Sequence, residues 1–178
     1  MQRNYKQILL IFLGVGFVLG VVYENVIYIR QQGIETYFRD DVLQQIKTET
    51  ISTVQYLFFV LRMRLRMLIP VMLFGLVKWK RLFVNFFLLW VGYLLGIFFV
   101  NAIIWRGMGG ILLCVAMLFP HMIFYILGYY IIICNYYRHS EQLWSGKKVL
   151  MCITLFLIGF FLEVYVNPMI VKGILYLV

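Results

Sequence analysis

The residues able to do chemistry in this chain are few, and most of them interrupt apolar runs. Arg62, Arg64 and Arg66 alternate with Met and Leu between two charge-free stretches, Ile51 to Leu61 and Met67 to Val77. On a helix Arg62 and Arg66 share a face, while Arg64 points nearly the opposite way. An arginine inside a membrane is costly unless it is paired or hydrated. Two readings fit: the guanidiniums snorkel to lipid headgroups, or they line a hydrated cavity with Glu163 or Glu24 as counter-ion. Glu163 is the only acid deep in the last apolar run, and Asn167-Pro168 follows one turn later. Structural pairing and a functional role both fit it. Phe119-Pro120-His121 interrupts another apolar run; proline there removes a helix hydrogen bond and kinks the segment. His121 is read as a structural group beside that kink.

Other chemistry is poorly represented. His121 and His139 are the two histidines, and no HExxH, GxSxG or phosphate-loop pattern occurs. No two carboxylates share a face in a catalytic pairing. Cys114, Cys134 and Cys152 all lie in apolar runs without a CxxC partner, so they read as small packing residues. The expectation is a non-enzyme with no cofactor and no metal.

Composition explains why these residues stand out. The 178 residues are 64% hydrophobic and only 13% charged, with a mean hydropathy of +0.93. A soluble domain is roughly half apolar and about a quarter charged, so this chain carries more apolar surface than a water-exposed fold can hide. A bilayer accepts it. The net charge of +9 comes from basic residues at the ends of apolar runs. Lipid contacts and topology account for that placement, and nucleic-acid binding is not expected.

The runs predict an all-α, polytopic integral membrane bundle of about five transmembrane helices, forming a single membrane domain over residues 1–178. The first runs from about Ile8 to Tyr23 and reads as an uncleaved span rather than a signal peptide. A polar segment of about residues 31–52 follows, with Ile34, Phe38, Val42 and Ile46 in one amphipathic stripe. The second span carries the triple arginine. The third is Leu82 to Ile104, the fourth Ile111 to Cys134 around Pro120, and the fifth Val149 to Val166. With five spans, Arg3 and Lys6, then Lys78, Lys80 and Arg81, then Arg138, Lys147 and Lys148 all fall on one side. That side is cytoplasmic by the positive-inside rule, which places the C-terminus outside. The triple arginine, near the outer end of its span, is the exception. Gly16/Gly20 and Gly92/Gly96 are GxxxG pairs, suited to close helix approach within the chain or between subunits.

Counting along unbroken helices puts Pro120 about ten residues into its span and Glu163 about three from the end of its own. The resulting depth difference of ~10 Å predicts no direct His121–Glu163 bond unless the kink or a re-entrant turn brings the two together. Arg62, Arg66 or Arg106 is the expected partner of Glu163, in a network near the outer interface.

Three features resemble the stage II sporulation protein M family. The first is the glycine cluster Gly107-Met108-Gly109-Gly110 leading into Leu118-Phe119-Pro120-His121-Met122-Ile123-Phe124-Tyr125. The second is the close Leu162-Glu163-Val164-Tyr165-Val166-Asn167-Pro168. The third is the layout: an N-terminal span, one outer loop, then packed spans and a short tail. Met122 and Tyr125 stand where the broader family often has Gly and Glu, and the triple arginine has no counterpart in the pattern. The resemblance implies a non-enzymatic scaffold at the septal membrane, needed for engulfment of the forespore. Its implied partners are membrane lipids and stage II sporulation proteins D and P, which cut peptidoglycan. A transporter or permease-like subunit, using Arg62, Arg66, His121 and Glu163, is the alternative; a membrane-bound enzyme using His121 and Glu163 ranks below it.

Overall fold

A computed structural model describes residues 4–30, 53–73, 75, 79–137 and 145–175. The described residues are almost entirely helical. In chain order they form α1 (Asn4–Arg30), α2 (Thr53–Leu73), α3 (Lys80–Leu118), α4 (His121–Tyr137), α5 (Gly146–Phe161), a π-helical turn (Leu162–Val166) and α6 (Asn167–Leu175). The amphipathic segment expected over 31–52 lies outside the described residues.

Three stretches are long and apolar enough to cross a membrane: Tyr5–Val26, Lys80–Leu118 and Gly146–Leu175. They correspond to the first, third and fifth expected spans. The other two are interrupted. α2 has the length, 21 residues, but its three arginines spoil its apolarity. The expected fourth span is not one kinked helix. It is split at Phe119-Pro120, whose peptide is cis, between the end of α3 and the 17-residue α4. Lys80–Leu118 is itself two helices joined at Gly107, whose φ of 56° is left-handed backbone that glycine adopts without a Cβ clash.

The chain forms two compact units, interleaved in sequence. One comprises residues 1–49, 82–115 and 174–178. Its α1 meets α3 through the two glycine pairs. A Cβ on Gly16 would fall on the Leu89 carbonyl, and one on Gly20 on the Tyr93 carbonyl. Reciprocally, Gly92 faces the Leu13 carbonyl and Gly96 the Phe17 carbonyl. Only glycine lets two backbones come this close, and dispersion along the seam then replaces the hydrophobic drive that lipid does not supply. Aromatic side chains flank the seam: Phe17 meets Phe99 edge-on at 6.2 Å, and Tyr23 meets Tyr93 at 5.5 Å. The seam also satisfies Glu24, whose carboxylate accepts a 2.9 Å hydrogen bond from Asn101. Away from the seam α1 stays bare, with Leu10, Ile11 and Val18 each more than half exposed. In a membrane that surface meets acyl chains.

The other unit comprises residues 50–81 and 116–173. Here α4 and α5 pack side by side around Ile132, Tyr125 and Cys152. Cys152 donates weakly to the Gly128 carbonyl, and Cys114, Cys134 and Cys152 are all free thiols. Tyr136 reaches α2 and donates to the carbonyls of Val71 at 2.9 Å and Met72 at 3.2 Å. These belong to the last turn of α2, whose carbonyls lack intrahelical partners. Gly75 leaves room for the Tyr136 ring.

Gly96→Leu is expected to destabilise the protein by about 1–3 kcal/mol, the usual cost of overpacking, because the added side chain strikes backbone. Gly14→Ala, where nothing lies within 4 Å of an added Cβ, is expected to be neutral or slightly stabilising. Thermal unfolding in detergent micelles reads both. An unchanged midpoint for Gly96→Leu would show that α1 and α3 are not held by this seam.

Candidate functional site

The polar cluster of the second unit starts from two proline-dictated irregularities. Pro168 has no backbone N–H, and its ring crowds the carbonyl four residues earlier, Val164. The preceding turn widens: Asn167 N–H donates to the Leu162 carbonyl, an i to i+5 bond. Such π turns alter the direction of side chains locally and recur at functional sites. Glu163 sits in this one. At the second irregularity α3 stops at Leu118 and α4 restarts at His121, so His121 and Tyr125, four apart, share the first turns of α4. Asn167 ties the two irregularities together by donating to the Met117 carbonyl at 3.3 Å. That carbonyl lies at the broken end of α3, where the helix leaves acceptors unpaired.

The third contributor is α2. Its less exposed residues are Tyr56, Leu57, Val60, Arg64, Leu68 and Val71, a stripe with helical spacing. Arg64 is in the stripe, and Arg62 and Arg66 are on the exposed face. The guanidinium of Arg64 grips Glu163 as a fork: Nε donates to Oε2 at 2.7 Å, and Nη2 donates to Oε1 in a short ion-paired bond. Two parallel bonds of this kind are the strong form of an arginine–carboxylate pair. Tyr125 donates its hydroxyl to the same Oε2 at 2.8 Å, and the Arg64 guanidinium lies 4.5 Å above the Tyr125 ring. The ring face thus adds a cation–π contact to the pair. His121 Nε2 lies 3.5 Å from Arg64 Nη2 and 4.0 Å from Glu163 Oε1. Exposure falls inward through the cluster, from 33% for the Arg64 side chain to 12% for Glu163 and 3% for His121.

Small and aromatic residues frame the cluster. Gly159 lies against the Tyr125 ring, where a Cβ would be 3.1 Å from it; Gly128 makes the same room for Phe156. Phe156 in turn packs on Tyr125 at 5.8 Å and edge-on to Tyr129 at 5.1 Å. Glu163 therefore has its charge neutralised and both oxygens occupied. Two buried polar atoms, His121 Nδ1 and Asn167 Oδ1, have no hydrogen-bond partner among the described residues.

The structure corrects two sequence-based expectations. Glu163 pairs with an arginine, but the arginine is Arg64, not Arg62, Arg66 or Arg106. Arg62 and Arg66 share a face of α2, and that face is turned away from the cluster. Arg106 belongs to the other unit, beside the Gly107 kink, where its Cβ would crowd a side chain at Gly110. The ~10 Å separation expected between His121 and Glu163 also fails: their nearest side-chain atoms are 4.0 Å apart, although no hydrogen bond joins them. Rise-per-residue arithmetic needs an unbroken helix, and both segments break, one at Pro120 and one at the π turn. Glu24, the other counter-ion considered, is held by Asn101 instead. Pro120, His121, Glu163, Asn167 and Pro168 all converge on this one region. Tyr125 enters the sequence reading only as the position where the broader family often has Glu; its bond to Glu163 is not expected there. Its signal was the four-residue spacing from His121, which a chain so rich in tyrosine does not make conspicuous.

Glu163→Gln and Arg64→Gln are each expected to destabilise the protein by about 2 kcal/mol. That is below the ~3–5 kcal/mol lost when a fully buried pair is broken, because Arg64 retains some exposure. Exchanging the two residues, Arg64→Glu with Glu163→Arg, should restore part of the loss, whereas Arg62→Gln should cost no more than ~0.5 kcal/mol. Unfolding in mixed micelles measures all four; equal losses for Arg62→Gln and Arg64→Gln would contradict the pairing. Searches against protein-family models, curated proteins and solved structures find no match to this chain.

Proposed function

We propose that this chain is a five-span membrane scaffold similar to the stage II sporulation protein M family, anchoring peptidoglycan-remodelling partners at the septal membrane during forespore engulfment. Three apolar stretches long enough to cross a membrane support a membrane location. In the five-span reading α2 and the Pro120-broken segment supply the remaining crossings, with the N-terminus cytoplasmic and the C-terminus outside. The family and its partners, stage II sporulation proteins D and P, rest on the motifs around Pro120 and Glu163 and on the layout.

The observation that carries a scaffold over a transporter is the separation of the polar residues. A permease-like subunit needed Arg62, Arg66, His121 and Glu163 to line one cavity. Instead His121 and Glu163 close on Arg64, and Arg62 and Arg66 lie on the opposite face of α2. A neutralised, fully bonded carboxylate serves to hold helices together, not to pass a solute. Gathering partners on one anchor raises their effective concentration without any chemistry by the anchor itself. Residues 31–52, the one sizeable polar segment outside the apolar runs, are the proposed docking element.

Cysteine labelling in a cysteine-free background tests the topology: positions Gln44 and Lys147 should react from opposite sides. Same-side labelling would eliminate the five-span arrangement. Affinity capture of the full-length chain from sporulating cells, read by mass spectrometry, should recover the two hydrolase-complex proteins. Replacing residues 31–52 with a Gly/Ser linker should abolish that recovery while membrane insertion persists. No recovery by the unaltered chain would end the scaffold reading.

A further inference from the structure

The face of α2 opposite the Glu163 pair carries two arginines that the polar cluster does not use. Arg62 and Arg66 are exposed and stand one helical turn apart, about 5–6 Å between Cβ atoms. They line a shallow groove with Phe58 and Leu61 toward one end of the helix and Leu65 and Ile69 toward the other. The apolar lining is itself exposed, Phe58 by 64% and Ile69 by 52%. The two acids among the described residues are committed elsewhere: Glu24 accepts from Asn101, and Glu163 is gripped by Arg64. Neither neutralises this pair.

We infer that Arg62 and Arg66 form a binding site for the headgroup of an anionic phospholipid, with its acyl chains lying on the flanking apolar residues of α2. The occupant follows from the chemistry of the groove. Two guanidiniums at this spacing can each present a fork to one phosphate, which arginine recognises better than a point charge does. A zwitterionic headgroup brings its own cation against them; a net negative one does not. An acidic peptide would satisfy the charges but leave Phe58, Leu61, Leu65 and Ile69 uncovered, whereas a lipid covers both. Arg62 and Arg66 stand midway along α2, and an arginine at that depth in a crossing helix draws headgroups and water toward itself by snorkelling and local thinning of the bilayer. The site rests on the chain being membrane-embedded, not on its acting as a scaffold.

The test is native mass spectrometry of the full chain, delipidated in detergent and titrated with chain-matched phosphatidylglycerol or phosphatidylcholine. Wild type should retain phosphatidylglycerol in preference. Removing each arginine should weaken that retention by about 5-fold, and Arg62→Gln/Arg66→Gln should abolish the preference while phosphatidylcholine binding is unchanged. Arg62→Lys/Arg66→Lys, which keeps charge but loses the forks, should be intermediate. Lys147→Gln/Lys148→Gln, which removes the same net charge elsewhere, should retain the preference. Circular dichroism should show the same helix content for every variant. Millimolar inorganic phosphate should not displace the lipid; displacement would mark a free-anion site and overturn the proposal. It is also overturned by equal retention of the two lipids in wild type, or by a preference that survives the double Gln substitution. A chain that fails to bind either lipid or to enter nanodiscs would count against the membrane reading itself.

Discussion

A carboxylate placed among apolar helices is stable only if something in the protein does the work of water, and at Glu163 that work is done by Arg64 and Tyr125. Satisfying one charge fixes the position of several elements. α2 must present Arg64 inward, so its Tyr56–Val60–Arg64–Leu68–Val71 stripe faces the unit's interior. α4 must begin close enough for Tyr125 to reach the same oxygen as Arg64, which it does because the preceding helix stops at Leu118. Gly159 must stay small so that the Tyr125 ring can lie against α5. Charge pairing at low dielectric is strong only when geometry is good and remaining hydrogen-bond capacity is used. The fork, the Tyr125 hydroxyl and the Tyr125 ring face beneath the guanidinium together meet that condition.

Backbone carbonyls obey the same rule as charges. Every helix break frees acceptors, and a carbonyl without a donor in an apolar setting costs free energy. Asn167 serves Met117 at the end of α3, and Tyr136 serves Val71 and Met72 at the end of α2. The π turn before Pro168 is another accommodation, in which Asn167 N–H finds the Leu162 carbonyl when the proline forbids the usual pattern. Among the described residues, Asn167 and Tyr136 are engaged at such breaks, while Asn167 Oδ1 and His121 Nδ1 stay without a hydrogen-bond partner. The other unit is held differently. Its α1–α3 seam relies on backbone proximity at four glycines, flanking aromatic contacts and the Asn101–Glu24 bond.

The construction suits the scaffold proposed above, because a polar cluster with directional bonds resists helix rotation better than interchangeable methyl contacts do. The arrangement also leaves α2 bifunctional in the geometric sense: one arginine faces protein and two face the surroundings. The triple arginine, puzzling as a run, resolves into two opposite faces set by helical rotation of ~100° per residue.

The all-helical character was legible in the sequence, because apolar runs of membrane-spanning length leave the backbone few alternatives. So were the glycine pairs, whose four-residue spacing puts both members on one face; the irregularity at Pro120 was legible only as a kink within one span, not as the end of one helix and the start of the next. The importance of Glu163 and Asn167-Pro168 was visible too, since an acid and a proline are conspicuous among apolar neighbours. The partner of Glu163 was not. Periodicity tells inside from outside only when one face alone is polar, and α2 carries arginine on both faces; nothing in its residues says whether Arg64 or the Arg62/Arg66 face turns inward. Nor was the meeting of His121 with Glu163, because depth counted at 1.5 Å per residue loses its meaning once a helix is cut at Pro120 and widened before Pro168. Local residue chemistry determined which groups needed a partner. Only the packing of α2, α4 and the π turn decided which partner each received, since that choice depends on helix rotation and on breaks whose geometry is set by contacts far apart in the chain.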